Sequence, residues 1–114
     1  MPYDEDLAYR IRALIGTERG VTEKRMFGGL AFLVGGNLAV AASGQGGLLV
    51  RVGADRSDQL VATTKASVAV MRGRPMTGWL RVGSEDLRTK RQLAKWVDIG
   101  VGVARSLPAK GTTG

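Results

Sequence analysis

The sequence predicts a two-layer α+β domain, with an antiparallel five-stranded sheet and helices in the order α-β-β-β-α-β-β-α. Helical spacing of apolar residues occurs near both ends of the chain, whereas its middle consists of short apolar runs separated by glycine-rich turns. A length of 114 residues and a hydrophobic content of 44% fit one globular domain with its own core. We therefore expect a single domain over residues 1–107 and a disordered tail over 108–114.

The first helix is predicted over about residues 4–15. Asp4 is placed to cap its N-terminus, and Gly16 to end it. The apolar face has the spacing of one helical stripe: Leu7, Ile11, Leu14 and Ile15. Residues 17–22 are expected to form a connection without regular structure.

The stretch over residues 24–37 predicts one long, kinked core strand that ends in a hairpin turn. Gly28-Gly29 interrupts its apolar run, and a glycine pair inside a strand indicates a bend or a close backbone approach. The turn is expected at Gly35-Gly36-Asn37, since these residues tolerate positive φ. Strands over 38–42 and 48–52 would complete an antiparallel meander.

A short helix is expected after Gly53, and a second hairpin follows it. Strands over 68–71 and 79–82 would flank a turn over 72–78, which confines Pro75 to the loop. The last helix is predicted to start at Thr89, where Thr89 and Gln92 have the spacing of a capping box. Its apolar face continues to residue 107, and Pro108 stops it.

The absent residue types exclude several kinds of site. The chain has no cysteine, so disulfides and thiolate metal sites are excluded. It also has no histidine, which removes the commonest metal ligand and the Ser-His and Cys-His nucleophile pairs. We expect no catalytic residues, no metal site and no cofactor.

Two further observations bear on location. No apolar run approaches the roughly 18 residues that a membrane-spanning helix needs. The N-terminus is acidic where a signal peptide is basic. We therefore expect a cytoplasmic protein that has no membrane partner.

The net charge of +7 lies in the second half of the chain. Residues 1–62 carry no net charge, whereas ten basic and three acidic residues follow. Such asymmetry fits a nucleic acid or another polyanion, and it fits equally a solvated basic surface. The candidate anion or nucleic-acid contacts form two groups, one on the second hairpin and one around the start of the last helix: Arg72, Arg74 and Arg81; Arg88, Lys90, Arg91 and Lys95.

Other motifs have structural explanations. Glycines 44, 46 and 47 lack the lysine and the following helix of a phosphate-binding loop, so a hairpin turn is expected. The carboxylate clusters lie at helix starts, where capping explains them. The aromatic side chains of Phe27, Phe32 and Trp96 are expected in the core. Trp79 fits either the core or an exposed stacking platform.

Across about residues 5–107, the chain resembles the TfoX N-terminal domain family. The resemblance rests on the motif Arg25-Met26-Phe27-Gly28-Gly29, together with several positions further along: the Gly36-Asn37 turn, the strand over 48–52, Met76, Trp79, Val82, Leu93 and Trp96. It implies an α+β domain that functions in the regulation of competence gene expression beside a transcription activator. The family contributes no established catalytic residues.

The sequence thus predicts a non-enzymatic regulatory domain that binds a protein partner or nucleic acid through its basic second half. An exposed sheet edge or face would also support a homodimer. The alternative is a small-molecule-binding or catalytic domain in which the hairpin arginines hold an anionic ligand.

Overall fold

The computed structural model describes residues 3–26 and 28–108. Within them the chain forms three α-helices, six strands and one short 3-10 turn. These are α1 (Glu5–Ile15), β1 (Val21–Met26), β2 (Gly29–Val34), β3 (Asn37–Ala42), β4 (Leu48–Arg51), α2 (Ala54–Thr63), β5 (Ser67–Met71), β6 (Arg74–Val82), the 3-10 turn (Ser84–Asp86) and α3 (Lys90–Ser106). The α+β class is as predicted, but the sheet has six strands rather than five. The predicted tail, apart from Pro108, lies outside the described residues.

All six strands belong to one antiparallel sheet in the order β1-β2-β3-β4-β6-β5. Consecutive hairpins connect β1 to β4, so the predicted meander is confirmed with one strand added before it. The chain then passes through α2 to β5 at the outer edge. It returns as β6, which lies between β5 and β4.

The prediction of one kinked strand with a preceding connection is wrong. The chain reverses direction after Met26, and β1 pairs with β2 from Met26 opposite Gly29 to Val21 opposite Val34. Sequence patterns miss β1 because it is an edge strand: its four central residues are exposed, and it has no apolar alternation. The expected close backbone approach occurs at Gly29, where a Cβ would overlap the Ala42 carbonyl oxygen.

The prediction of a turn over residues 72–78 is also wrong, because the turn of the second hairpin contains only two residues. Arg72 and Gly73 have φ of 54° and 77°, and β6 begins at Arg74. Pro75 therefore lies within a strand. Its missing N–H is tolerated because β4 pairs with β6 only from Trp79 onward, so no neighbouring strand requires that donor.

The turn after β2 is confirmed at Gly35-Gly36, with φ of 61° and 81°. Asn37 differs from expectation. Arg72 is the single non-glycine residue with positive φ in the described ranges, so Asn37 does not use the left-handed region. It is instead the first residue of β3 and is almost fully buried.

The main core lies between one face of the sheet and the helices. Helix α1 begins at Asp4, whose carboxylate accepts the Leu7 N–H at 3.1 Å. Helix α3 begins with the predicted capping box of Thr89 and Gln92. Phe32 and Trp96 are buried in this core as expected, whereas Phe27 lies outside the described residues.

No helix within residues 3–26 and 28–108 combines the length and the apolarity that crossing a bilayer requires.

Candidate functional site

The sheet has a second apolar face, opposite the main core, which we call the open face. Its buried centre contains no helical residue: Ala31, Leu38, Ala41, Leu49 and Ala69. Four partly buried residues pack around that centre: Met26, Leu33, Met76 and Trp79. In the described structure all helical core residues belong to the main core. The open face is therefore apolar without a helix covering it.

Two central strands create this face. The chain is apolar on both sides of β2 and β3, where nearly every residue is buried, rather than alternating between apolar and polar. A strand that is apolar on both sides requires cover on both sides. Strand β4 also contributes apolar side chains to both faces of the sheet. Leu48 and Val50 pack in the main core, and Leu49 lies on the open face.

A groove of about 970 Å³ runs over the open face. Its apolar lining includes residues from five strands: Met26, Ala41, Leu49, Ala69 and Met76. The three hairpin arginines of the sequence prediction, Arg72, Arg74 and Arg81, also line it. The structure thus brings one of the two predicted basic groups together at a concave surface.

Arg81 is held in place by the turn between β3 and β4. It donates one hydrogen bond to the Gln45 side-chain oxygen and another, at 2.9 Å, to the Gly46 carbonyl. Pairing with Leu49 places Arg81 on the open face. Since these acceptors are neutral, its positive charge remains available to a ligand.

Arg72 occupies a position that glycine or asparagine usually takes. Its φ of 54° lies in the left-handed region, which costs a non-glycine residue about 1 kcal/mol or more. Its side chain is exposed beside the groove. The hairpin therefore keeps a cation at its tip at some cost in stability.

The charged side chains of the open face are all basic. Strand register places Lys24, Arg51 and Arg81 there, opposite Ala31, Trp79 and Leu49. No acidic residue occurs between Asp58 and Glu85. The two ion pairs of the described chain, Arg12–Glu23 and Arg105–Glu18, do not involve any groove arginine.

The second predicted basic group lies on the opposite side of the sheet. Arg88 and Lys90 line a smaller groove of about 560 Å³ between α1 and α3, together with Tyr9. Arg10 crosses from α1 there and donates to the Leu87 carbonyl at 2.6 Å. The sheet therefore separates this group from the hairpin arginines.

The remaining members of that group, Arg91 and Lys95, are exposed on α3. The Lys95 ammonium lies 5.4 Å from the centre of the Trp96 ring, whose other contacts are in the core.

Trp79 is half-buried on the open face, and the Arg51 guanidinium lies 5.0 Å from its ring centre. That cation occupies the position at which a nucleobase would stack.

The family motif has two structural roles. Met26 lines the groove. Gly28, with φ of 75°, forms the β1–β2 turn, and Gly29 allows β2 to approach β3 closely. Arg25 is exposed on the helix side, opposite Leu30, and is therefore not part of the groove.

One carboxylate in the described chain has a perturbed pKa. Hydrogen bonds from Arg12, the shorter 2.6 Å, lower the pKa of Glu23. Glu23 lies opposite Phe32 on the helix side, so this pair stabilises the packing of α1 on the sheet edge. Clusters of three or more potential metal ligands do not occur within the described residues.

Sequence reasoning missed most of the groove. Its apolar centre and the contact of Arg81 with Gln45 join residues from distant parts of the chain, and no local pattern reports such proximity. A signal did exist in the continuous apolar runs of β2 and β3, which indicate a sheet that is apolar on both faces.

Comparisons with known proteins identify the chain through one family model. Searches of curated proteins and of solved structures found no match. A family model, described as the TfoX N-terminal domain, matches residues 13–104 of the 114-residue chain. That range includes every described strand, all of α2, most of α3 and only the last three residues of α1. The chain therefore belongs to the TfoX N-terminal domain family.

Proposed function

We propose that this protein is a non-enzymatic, cytoplasmic regulatory domain that binds an acidic and partly apolar segment of a protein partner in the open-face groove. The observation that carries the proposal is the combination of an apolar floor with a rim whose charged side chains are all basic. Membership of the TfoX N-terminal domain family supports a regulatory role, in line with that family's association with competence gene expression.

The chemistry of the groove favours a polypeptide. Leu49 and Met76 offer apolar contact, which carboxylate-bearing segments with interspersed apolar side chains can use. Arginine is the preferred partner of a carboxylate, because its guanidinium donates two parallel hydrogen bonds. Three arginines around an apolar floor therefore match a segment that carries both acidic and apolar side chains.

Nucleic acid fits the groove less well. Binding to a phosphate backbone relies on many cations along one continuous surface. Here the two basic groups lie on opposite sides of the sheet, and the space between the hairpin arginines is apolar. The stacking position over Trp79 is occupied by Arg51. We therefore assign the basic rim to carboxylates.

The same side chains support a non-enzymatic role. The chain contains no histidine and no cysteine, and the charged groups around the groove are arginines. A guanidinium stays protonated at all relevant pH values, so it cannot exchange protons as a general acid or base. These groups can hold an anion, and binding is the function that they perform.

The test is a titration followed by fluorescence anisotropy, with a labelled synthetic peptide that repeats Glu-Glu-Val-Val, so that each face of the extended peptide carries both glutamate and valine. We expect saturable binding that a lysine–valine peptide does not show. Replacing Arg72 and Arg74 together by alanine should weaken binding about tenfold or more, since two charge-assisted hydrogen bonds are lost.

The matched control is the double variant Arg88→Ala/Lys90→Ala. It removes the same two charges from the opposite side of the sheet, and we expect a change of less than about twofold. An equal loss in both double variants would show attraction by net charge alone. Tight binding of duplex DNA, weakened equally by both variants, would assign the surface to nucleic acid instead.

A small amphipathic anion is the second candidate. The observation in its favour is that all three hairpin arginines line one groove. Calorimetric titration with dodecanoate checks it. Binding of dodecanoate with no binding of the peptide would select the small ligand, whereas the reverse supports the partner segment.

A further inference from the structure

The two edges of the sheet differ in how they are protected. An exposed edge strand presents unpaired backbone groups and is usually protected by charges, proline or a covering element. Edge strand β1 contains Glu23, Lys24 and Arg25 in succession. Edge strand β5 has the sequence Ser-Val-Ala-Val-Met, with no charge and no proline. In the described structure, only β5 is an unprotected edge.

The register identifies which backbone groups of β5 are free. A two-residue turn makes its flanking residues, Met71 and Arg74, a hydrogen-bonded pair. The next pair, Val70 and Pro75, is then non-hydrogen-bonded, which agrees with the missing N–H of proline. The N–H and C=O of Val70 consequently point away from β6, toward the free edge.

Val70 is also exposed in its side chain. It is 56% accessible, one of two large apolar residues in the described chain that are strongly exposed. It lines the open-face groove beside Ala69, so the free edge and the groove are continuous. Backbone hydrogen bonds to segments other than β6 are not formed by residues 67–71 in the described structure.

The charges at both ends of β5 indicate the occupant. Lys65 precedes the strand, and Arg72 and Arg74 follow it. In a second copy of this chain, antiparallel pairing centred on Ala69 would place Lys65 beside the partner's hairpin tip and set cations against cations. An acidic segment has the opposite charge, so it fits this edge where a second copy does not.

We infer that the partner segment binds as an extra strand along β5, held by main-chain hydrogen bonds to the outward groups of Val70 while its acidic side chains reach the groove arginines. This inference rests on the proposed function and adds how the segment is held. Strand addition gives affinity through the backbone and leaves side-chain pockets to determine specificity.

Amide hydrogen exchange measured by NMR tests the inference on the intact protein with the glutamate–valine peptide. We expect the Val70 amide to exchange at least about tenfold more slowly when the peptide is bound, because it becomes hydrogen-bonded. The amides of β1 serve as the control and should keep their rates. Peptide binding without slower exchange at Val70 overturns strand addition and leaves the proposed function intact. Absence of peptide binding overturns both.

A pair of variants gives a second readout. Val70→Pro removes the outward N–H without removing a bond to β6, and it should weaken peptide binding at least about fivefold. Val70→Thr keeps that N–H and the β-branched shape, so it should weaken binding clearly less than Val70→Pro does. Circular dichroism shows whether the proline variant folds. If it does not fold, the amide exchange of Val70 in the unaltered protein decides whether the inference holds. A folded proline variant with unchanged affinity contradicts the inference.

Discussion

The side-chain amide of Asn37 donates a hydrogen bond of 2.9 Å to the Pro108 carbonyl and a longer one to the Ala104 carbonyl. The first residue of β3 thereby holds the end of α3, where helical carbonyls lack partners within the helix. Asn37 is 1% exposed, so its amide lies away from water, and the bond to Ala104 is fully buried. They connect the sheet to the last helix.

Replacing Asn37 by alanine should lower the free energy of unfolding by about 1–3 kcal/mol, since it removes two hydrogen bonds made by a buried amide. Urea unfolding checks this. Gln45→Ala is the control for an exposed amide, and it should change stability by less than about 0.5 kcal/mol. An unchanged midpoint in Asn37→Ala would show that water replaces the amide.

Two glycines of α3 should respond oppositely to alanine. A Cβ at Gly100 would overlap the Ala39 carbonyl oxygen and lie 2.9 Å from Val40 Cγ1, whereas a Cβ at Gly102 meets nothing within 4 Å. Gly102→Ala should stabilise the protein by up to about 1 kcal/mol through helix propensity. Gly100→Ala should destabilise it by about 1–3 kcal/mol, because helix and sheet must separate. Thermal unfolding of both variants distinguishes the two signs, and equal shifts would contradict the close packing at Gly100.

Arg72→Gly should separate stability from binding. Glycine adopts the φ of 54° without the steric cost that arginine bears, so we expect stabilisation of about 0.5–1 kcal/mol. The same change removes a groove cation and should weaken binding of the glutamate–valine peptide severalfold. Denaturant unfolding and anisotropy on one sample measure both effects. A variant that loses stability and keeps its affinity would contradict the assigned role of Arg72.

The Arg12–Glu23 pair should make stability depend on pH. Hydrogen bonding lowers the pKa of Glu23 in the folded state below its ordinary value of 4.5. Its stabilisation is therefore fully present above that value and is lost as pH falls through the lowered folded pKa. The difference in unfolding free energy between the protein and Glu23→Gln should be small at pH 7, because both side chains are partly exposed, and should vanish in acid. A difference that grows with falling pH would contradict this assignment.

Local patterns predicted the elements that carry an apolar signal of their own. The capping box at Thr89, the core positions of Phe32 and Trp96, and the Gly35-Gly36 turn are all confirmed. Strand β1 was missed because an edge strand needs no apolar face. The prediction that Pro75 lies in a loop was wrong. Its missing N–H is tolerated or not depending on the partner strands, and the local sequence does not specify those strands.

The sequence by itself determined the α+β class, the family, the missing histidine and cysteine chemistry, and the excess of basic residues in the second half. These properties depend on residue type and local spacing. Only the tertiary structure decided which cations share a surface. Strand register brings Met26 and Leu49 beside Arg81, and the thickness of the sheet separates that arginine from Arg88. Long-range pairing fixes these neighbours, so the groove and the free edge of β5 follow from the fold.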